Sequence, residues 1–210
     1  MNFSPLFQRY ETLVIKADKA FEKMTNDYSE CIKCERHCSD CCHAVFGLFL
    51  IEAAYLKHHF DALDRKERRA ATLRGNRTDK DFEELEKKIK IYKDDPQMAS
   101  YSLSRARIQC PLLNNHQDCI LYSHRPITCR VYGIPMAIHG KAHVCGKAGF
   151  RKGKTYPTFN LDEVQRELYL LSKELLEKAH KGDAEKASFL ISVSKAIESP
   201  IEHVIEESFG

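Results

Sequence analysis

The chemistry-bearing residues of this chain are its cysteines, nine in 210 residues. The first group reads Cys31-x2-Cys34-x3-Cys38-x2-Cys41-Cys42, and the second comprises Cys110, Cys119, Cys129 and Cys145. If the first group is helical, its five thiols fall within an arc of roughly 100°. If it is a turn, the short spacings still let neighbouring sulfurs converge on one ion. Structural zinc takes four nitrogen or sulfur ligands, and a cubane iron–sulfur cluster takes four thiolates. Eight cysteines could therefore build two four-ligand sites, or one site plus free thiols. Adjacent Cys41 and Cys42 point to opposite sides of an extended chain, so they would serve different metals, or one would bridge. Four thiolates around zinc leave a net charge of about −2, which calls for nearby cations. Arg125, Arg130 and His124 flank Cys129, and Lys141 and Lys147 flank Cys145. Arg125 and Arg130 are the cations expected beside the cofactor.

Other residues offer weaker chemistry. His37, His43 and His143 lie near cysteines and could complete a mixed site, although surface histidines commonly titrate without a role. Glu52 either pairs with Arg125 or Arg130 or caps a helix start, and the structural reading is the simpler one. Tyr122 and Tyr132 bracket Cys129 as packing aromatics or redox relays. His58-His59 reads as surface or core edge. Gly149-Phe150-Arg151-Lys152-Gly153-Lys154-Thr155 falls one residue short of a phosphate loop and lacks both the leading strand and the following helix. It reads as a basic loop, and without a docking motif it does not argue for nucleic acid.

The elements that must position these residues are mainly helical. Ser4-Pro5 starts a helix whose apolar stripe is Leu6, Tyr10, Leu13, Ala17, Ala20 and Met24, ending near Asp27. The run Phe46–Ile51 leads into a helix over Glu52–Leu63. Asp64 with Glu67 starts another, which Gly75-Asn76 is expected to interrupt. Thr78 or Asp79 restarts a charged helix ending near Asp95-Pro96, so that 64–95 forms a solvated hairpin. Over 108–153 the helical period stops. Ile134–Ile138 and Ala142–Cys145 read as a β-hairpin, with Pro135 confining its strand to a sheet edge. Asn160 and Glu163 cap a long helix marked by Leu161, Val164, Leu168, Leu171 and Leu175, which Gly182 ends. Asp183 opens another helix and Ser199-Pro200 a last one. The fold class is thus a mainly α, single helical domain over 1–210. It has an irregular metal-binding part at 31–153 with a small β-hairpin, and C-terminal helices over 154–210.

A net charge of +3 is too small to argue for nucleic acid, and 43% hydrophobic with 30% charged residues suits a globular chain. The longest apolar run, Ala44–Ile51, is far short of a membrane span, and Met1–Pro5 does not resemble a signal peptide. A cytoplasmic location is the expectation. There a cysteine cluster is metal-binding or redox-active rather than disulfide-forming.

The pattern Cys34-x3-Cys38-x2-Cys41-Cys42, then Cys110-Pro111-Leu112-Leu113, Cys119-x2-Tyr122-x2-Arg125-Pro126-x2-Cys129-Arg130 and Cys145 resembles the YkgJ-type cysteine-cluster family. That family is described as zinc- or iron-chelating and is often labelled iron–sulfur-cluster-containing. The match runs over 31–145, and Cys31 is extra to it. The resemblance implies that the eight cysteines hold an iron–sulfur cluster (4Fe-4S favoured) or iron, with zinc as the alternative. A related domain occurs in a flagellin lysine methylase, which implies a redox or accessory module of an enzyme acting on a protein substrate. This chain shows no methyl-donor signature. Two other readings stand beside it: a zinc-stapled interaction protein, and a thiol sensor using Cys31 or Cys42 near Lys33 or His43.

Overall fold

The apolar stripe of the N-terminal segment becomes helix α1, Ser4–Asp27, which buries Leu6, Tyr10, Val14, Ala17 and Met24. Its Pro5 occupies the first turn, where a missing N–H costs nothing. The structure is a computed structural model and describes residues 3–179 and 184–200. Helix α2, Leu50–Asp61, is buried from Leu50 through Leu56 without a break, as befits a central helix covered on all sides. Helix α6, Leu161–Lys178, closes the layer with Leu161, Val164, Leu168, Leu171, Leu175 and Leu176 inside. Helices α1, α2 and α6 pack pairwise on one another. Ser172 locks two of them, donating to the Leu168 carbonyl at 2.8 Å and accepting from the Ile51 N–H at 3.2 Å.

The region 64–105 departs from its expected shape. Helix α3, Arg65–Lys90, runs unbroken through Gly75 and Asn76 and is no hairpin. One glycine costs a helix only about 1 kcal/mol relative to alanine. Tertiary contacts outweigh that: Arg74 donates to the Pro111 carbonyl at 2.7 Å, and Thr78 donates to the Gln109 carbonyl at 2.8 Å. The same face packs on helix α7, Val193–Glu198, which in turn covers α2. Asp95-Pro96 begins a helix instead of ending one. Asp95 accepts from the Gln97 and Met98 N–H groups at 3.1 and 3.0 Å and so caps α4, Pro96–Arg105.

After α4 comes the short helix α5, Ile127–Val131, packed on α1. The predicted hairpin is present as β1, Met136–Ile138, antiparallel to β2, Lys141–His143. Its turn residues His139 and Gly140 both have positive φ, 50° and 70°, which suits the twist of a tight hairpin. Strand β1 is not an edge, however. It lies between β2 and β3, Phe159–Asn160, in the order β2-β1-β3. Pro135 is accommodated because it precedes the strand and contributes only its carbonyl, which accepts from Phe159 N–H at 2.8 Å. Asn160 caps α6 through the Glu163 N–H, as expected. Helix α6 ends at Lys178, and a 3-10 turn covers Ala184–Ser188. The expectations for Gly182, for Asp183 and for a last helix beyond Pro200 lie outside the described residues.

Candidate metal centre

The first cysteine group takes the turn form. Residues 28–39 are irregular, and Asp40–His43 forms one 3-10 turn carrying Cys41 and Cys42. A short ladder joins this turn to the second group. The Cys110 N–H donates to the Cys42 carbonyl at 2.7 Å, the Ile108 N–H donates to the His43 carbonyl at 3.1 Å, and Ala44 bridges Arg107. Downstream, Leu113 bridges Cys119, with Asn114 Oδ1 accepting from the His116 and Asp118 N–H groups to close the turn between them. Cys129 rides on α5. Buried Glu52 anchors that helix, its Oε1 accepting from the Ile127 N–H at 3.1 Å while Oε2 accepts from the Phe49 N–H at 3.4 Å. The capping reading of Glu52 therefore holds, extended to a second helix start.

These ties bring seven cysteines, Cys34, Cys38, Cys41, Cys42, Cys119, Cys129 and Cys145, around one cavity of about 460 Å³. Cys110 borders a second cavity of about 40 Å³ together with Cys41, Cys42, Cys119 and Cys129. Thiols far apart in sequence thus meet, and all nine cysteines are free. Cys31 faces neither cavity and is buried, its thiol pushed up by burial and by Glu30. Cys42 is likewise raised, by its contacts with Cys119 and Cys41 and by burial. Neither is the reactive, low-pKa thiol that the sensor reading required. That character falls on Cys41, lowered to about 7 by the Cys42 hydrogen bond against its own burial, with help from Arg125. Cys119 is lowered for the same first reason. Burial raises Cys34 to about 11 and Cys110 to about 12, and also pushes up Cys129 and Cys145.

The cations divide between two roles. Arg125 borders the large cavity, its guanidinium 4.0 Å over the ring of Tyr122. Arg130 also lines it, but only 5% exposed and bound elsewhere: to both oxygens of Asp18, at 3.0 and 2.7 Å, and to the carbonyls of Arg125 and Ser123. Its charge is neutralised by Asp18 and its donors brace the loop before α5. Tyr122 is exposed at the rim, and Tyr132 lines the wall. His37 lies at the rim with Nδ1 3.0 Å from the His116 carbonyl, and His43 Nδ1 lies 2.9 Å from the Ser39 carbonyl. His143 is on exposed β2, away from the cavity.

Two residues escaped the sequence reading. Asp40 accepts from Cys145 Sγ at 3.2 Å and pairs with Arg107 at 2.7 Å and Lys147 at 3.7 Å. Burial pushes its carboxyl up, but these partners outweigh burial and hold it below the ordinary value. Gly133 lies directly beneath Cys34: a Cβ there would meet Cys34 Sγ at 2.2 Å and turn it aside. Asp in a cysteine turn and a lone glycine carry no periodic signal, so only packing reveals them.

Among the described residues no three Cys, His, Asp or Glu side chains form a ready-made set of ligands for one ion. Cys145 Sγ instead donates to Asp40 at 3.2 Å. The donor set nevertheless suits a thiophilic metal, since eight sulfurs border adjoining cavities with Arg125 beside them. Ligation would replace the S–H protons by the metal.

Neither a curated protein nor a solved structure matches the chain. A family model does match, over residues 33–146, more than half of the chain. The cysteines around the two cavities, all within that span, place the protein in the CxxCxxCC family, described as a putative zinc- or iron-chelating domain.

Proposed function

We propose that Cys34, Cys38, Cys41, Cys42, Cys110, Cys119, Cys129 and Cys145 hold an iron–sulfur cluster, with 4Fe-4S favoured, or iron. The protein would then serve in the cytoplasm as a redox or accessory module of an enzyme acting on a protein substrate. The observation that carries this reading is the convergence of eight thiols on cavities of about 460 and 40 Å³, more sulfur than one structural zinc uses. When bound, such a cluster supplies one-electron transfer. Arg125 would offset its negative charge, and Arg130, held by Asp18, would keep the Cys129 helix in place. The test is metal and sulfide analysis with a visible spectrum on anaerobically purified protein. Iron, acid-labile sulfide and visible absorption are expected. A colourless protein holding zinc and no iron would overturn it.

The zinc-stapled reading is favoured by a separate observation. The cysteines connect the chain after α1, the 107–119 segment and α5, which one closed ion could clamp together. It predicts unfolding of those segments on chelation without visible absorption.

A further inference from the structure

Resting on the reading that the cysteine centre serves a protein partner, we infer that the basic turn 151–154 beside it docks an acidic segment of that partner. Charge is unevenly spread along the chain, which holds 33 Lys and Arg against 30 Asp and Glu. Seven of those cations and no acid lie between Asp118 and Asp162, so the rest of the chain is net acidic by four. Of the seven, Arg130 is matched by Asp18, and Lys147 lies 3.7 Å from Asp40. Among the described residues no carboxylate forms an ion pair with Arg151, Lys152 or Lys154, and all three are exposed. An acidic partner would supply the charge that the chain itself does not.

The turn is held from beneath and open above. The Gly149 N–H donates to the Cys31 carbonyl at 2.8 Å, and a Cβ at Gly149 would sit 3.2 Å from Cys31 Cα and from the Glu30 carbonyl oxygen. The Arg151 N–H donates to Tyr156 Oη at 3.2 Å, and the Lys154 N–H donates to the Arg151 carbonyl at 3.2 Å. Tyr156 meets Phe150 and Tyr28 edge-on, with ring centroids 4.9 and 5.4 Å apart. On the outer side, a Cβ at Gly146 or Gly153 would meet nothing within 4 Å. The cations thus stand on a braced turn, which lowers the ordering cost of binding. Both ends of the bracing adjoin the centre: Cys145 lines the large cavity, and Cys31 is three residues before Cys34, which lines it too. A protein segment fits this surface better than other polyanions do. The rings of the turn are packed on one another and Arg125 covers Tyr122 at 4.0 Å, which leaves no platform for stacking bases. Between Asp118 and Asp162 the exposed large apolar side chains are Tyr122 and Val144, too few to enter a membrane.

The experiment titrates a short fluorescent poly-L-glutamate peptide, followed by anisotropy, with the full-length protein as purified, and measures metal on the same sample. Binding is expected, weakening about tenfold as salt rises from about 0.05 to 0.2 M and screening sets in. Arg151→Gln, Lys152→Gln and Lys154→Gln together are expected to weaken it about tenfold, with metal content and circular dichroism unchanged. Lys87→Gln, Lys88→Gln and Lys90→Gln remove the same charge from the end of α3 and are expected to weaken it less than about twofold. Equal losses from the two triple variants would mean a response to net charge alone and overturn the site, as would a wild-type protein that ignores the peptide. Tighter binding of single-stranded DNA or of phosphatidylserine vesicles, lost in the 151–154 variant, would overturn the assignment to a protein partner. A chain that holds no metal yet binds the peptide through this turn defeats the metal reading and keeps the docking surface. A metal-loaded chain that does not bind the peptide does the reverse, so the two failures are distinct.

Discussion

The α1–α2–α6 layer and the cysteine-bearing segments beside it are held by different physics. In the layer, leucines at helical spacing are removed from water on three mutually packed helices, and the backbone is satisfied within each helix. In the segments, a few backbone bonds fix each turn, and thiols are crowded around shared cavities. His37, Gln117 and His139, the non-glycine residues with positive φ among those described, all fall there. Left-handed backbone costs of order 1–3 kcal/mol per residue and persists only where surroundings impose it. His37 and Gln117 face one another across the rim, tied through the His116 carbonyl and through Ser39 Oγ donating to Gln117 at 2.8 Å. The contrast teaches that the layer is closed by its own apolar contacts, whereas the segments, on the function proposed above, would be completed by a metal.

Metal removal sharpens that contrast most. Structural zinc sites bind with roughly 10–16 kcal/mol of apparent free energy, and that energy stabilises whatever the ligands hold. Chelation is expected to remove hydrogen-exchange protection from 31–47 and 106–153 while leaving α1, α2 and α6 protected. Loss of protection throughout would show that the layer depends on the metal after all. Leu175→Ala is the complementary break. Leu175 is fully buried in the layer, so truncation is expected to cost about 2–5 kcal/mol in global unfolding without changing metal content. Denaturant titration and metal analysis on the same sample check both halves.

Glu52 lies on the seam between the two regions. Burial holds its carboxyl up to about 7, against hydrogen bonds from Ile127, Phe49 and Tyr10 that pull it down. The folded state therefore keeps a proton that the unfolded chain has released. The associated stability is fully present below the ordinary value of 4.5 and is lost as pH rises through about 7. The shift corresponds to on the order of 3 kcal/mol. Glu52→Gln is expected to flatten this part of the stability profile between pH 5 and 7, and an unchanged slope in the variant would refute it. The smallest effect belongs to Gly133→Ala, where the methyl group must displace Cys34 Sγ. Because Sγ ends an exposed side chain that can rotate, the cost falls at the low end of overpacking, about 1 kcal/mol, confined to the cysteine segments and accompanied by weaker metal retention.

What could be read in advance follows the same divide. The stripes of α1 and α6, the Asn160 cap and the β1–β2 turn were legible because helical and hairpin periods repeat locally. The cysteine spacings were legible because many thiols at short intervals have few uses besides disulfides and metal sites. Gly75 misled because its helical penalty is local, while Arg74 and Thr78 reach across to the 109–111 backbone. Asp95-Pro96 signals a helix start as well as a stop, and only the course of the following chain decides between them. Pro135 pointed to an edge, yet its carbonyl alone suffices where β3 joins. Asp40 and Gly133 were invisible because their importance comes from what lies against them, Cys145 in one case and Cys34 in the other.

The ladder between Cys42–Ala44 and Arg107–Cys110 has a consequence for how the chain tolerates change. The backbone leaves this point through α2, travels along α3 and α4, and returns to the same place, so the whole excursion is a clasped loop. Length variation at its far corner, between Lys90 and Pro96, would be absorbed there without altering the separation of the two cysteine stretches. An inserted recognition peptide or a fused reporter would therefore be best carried at that distant bend.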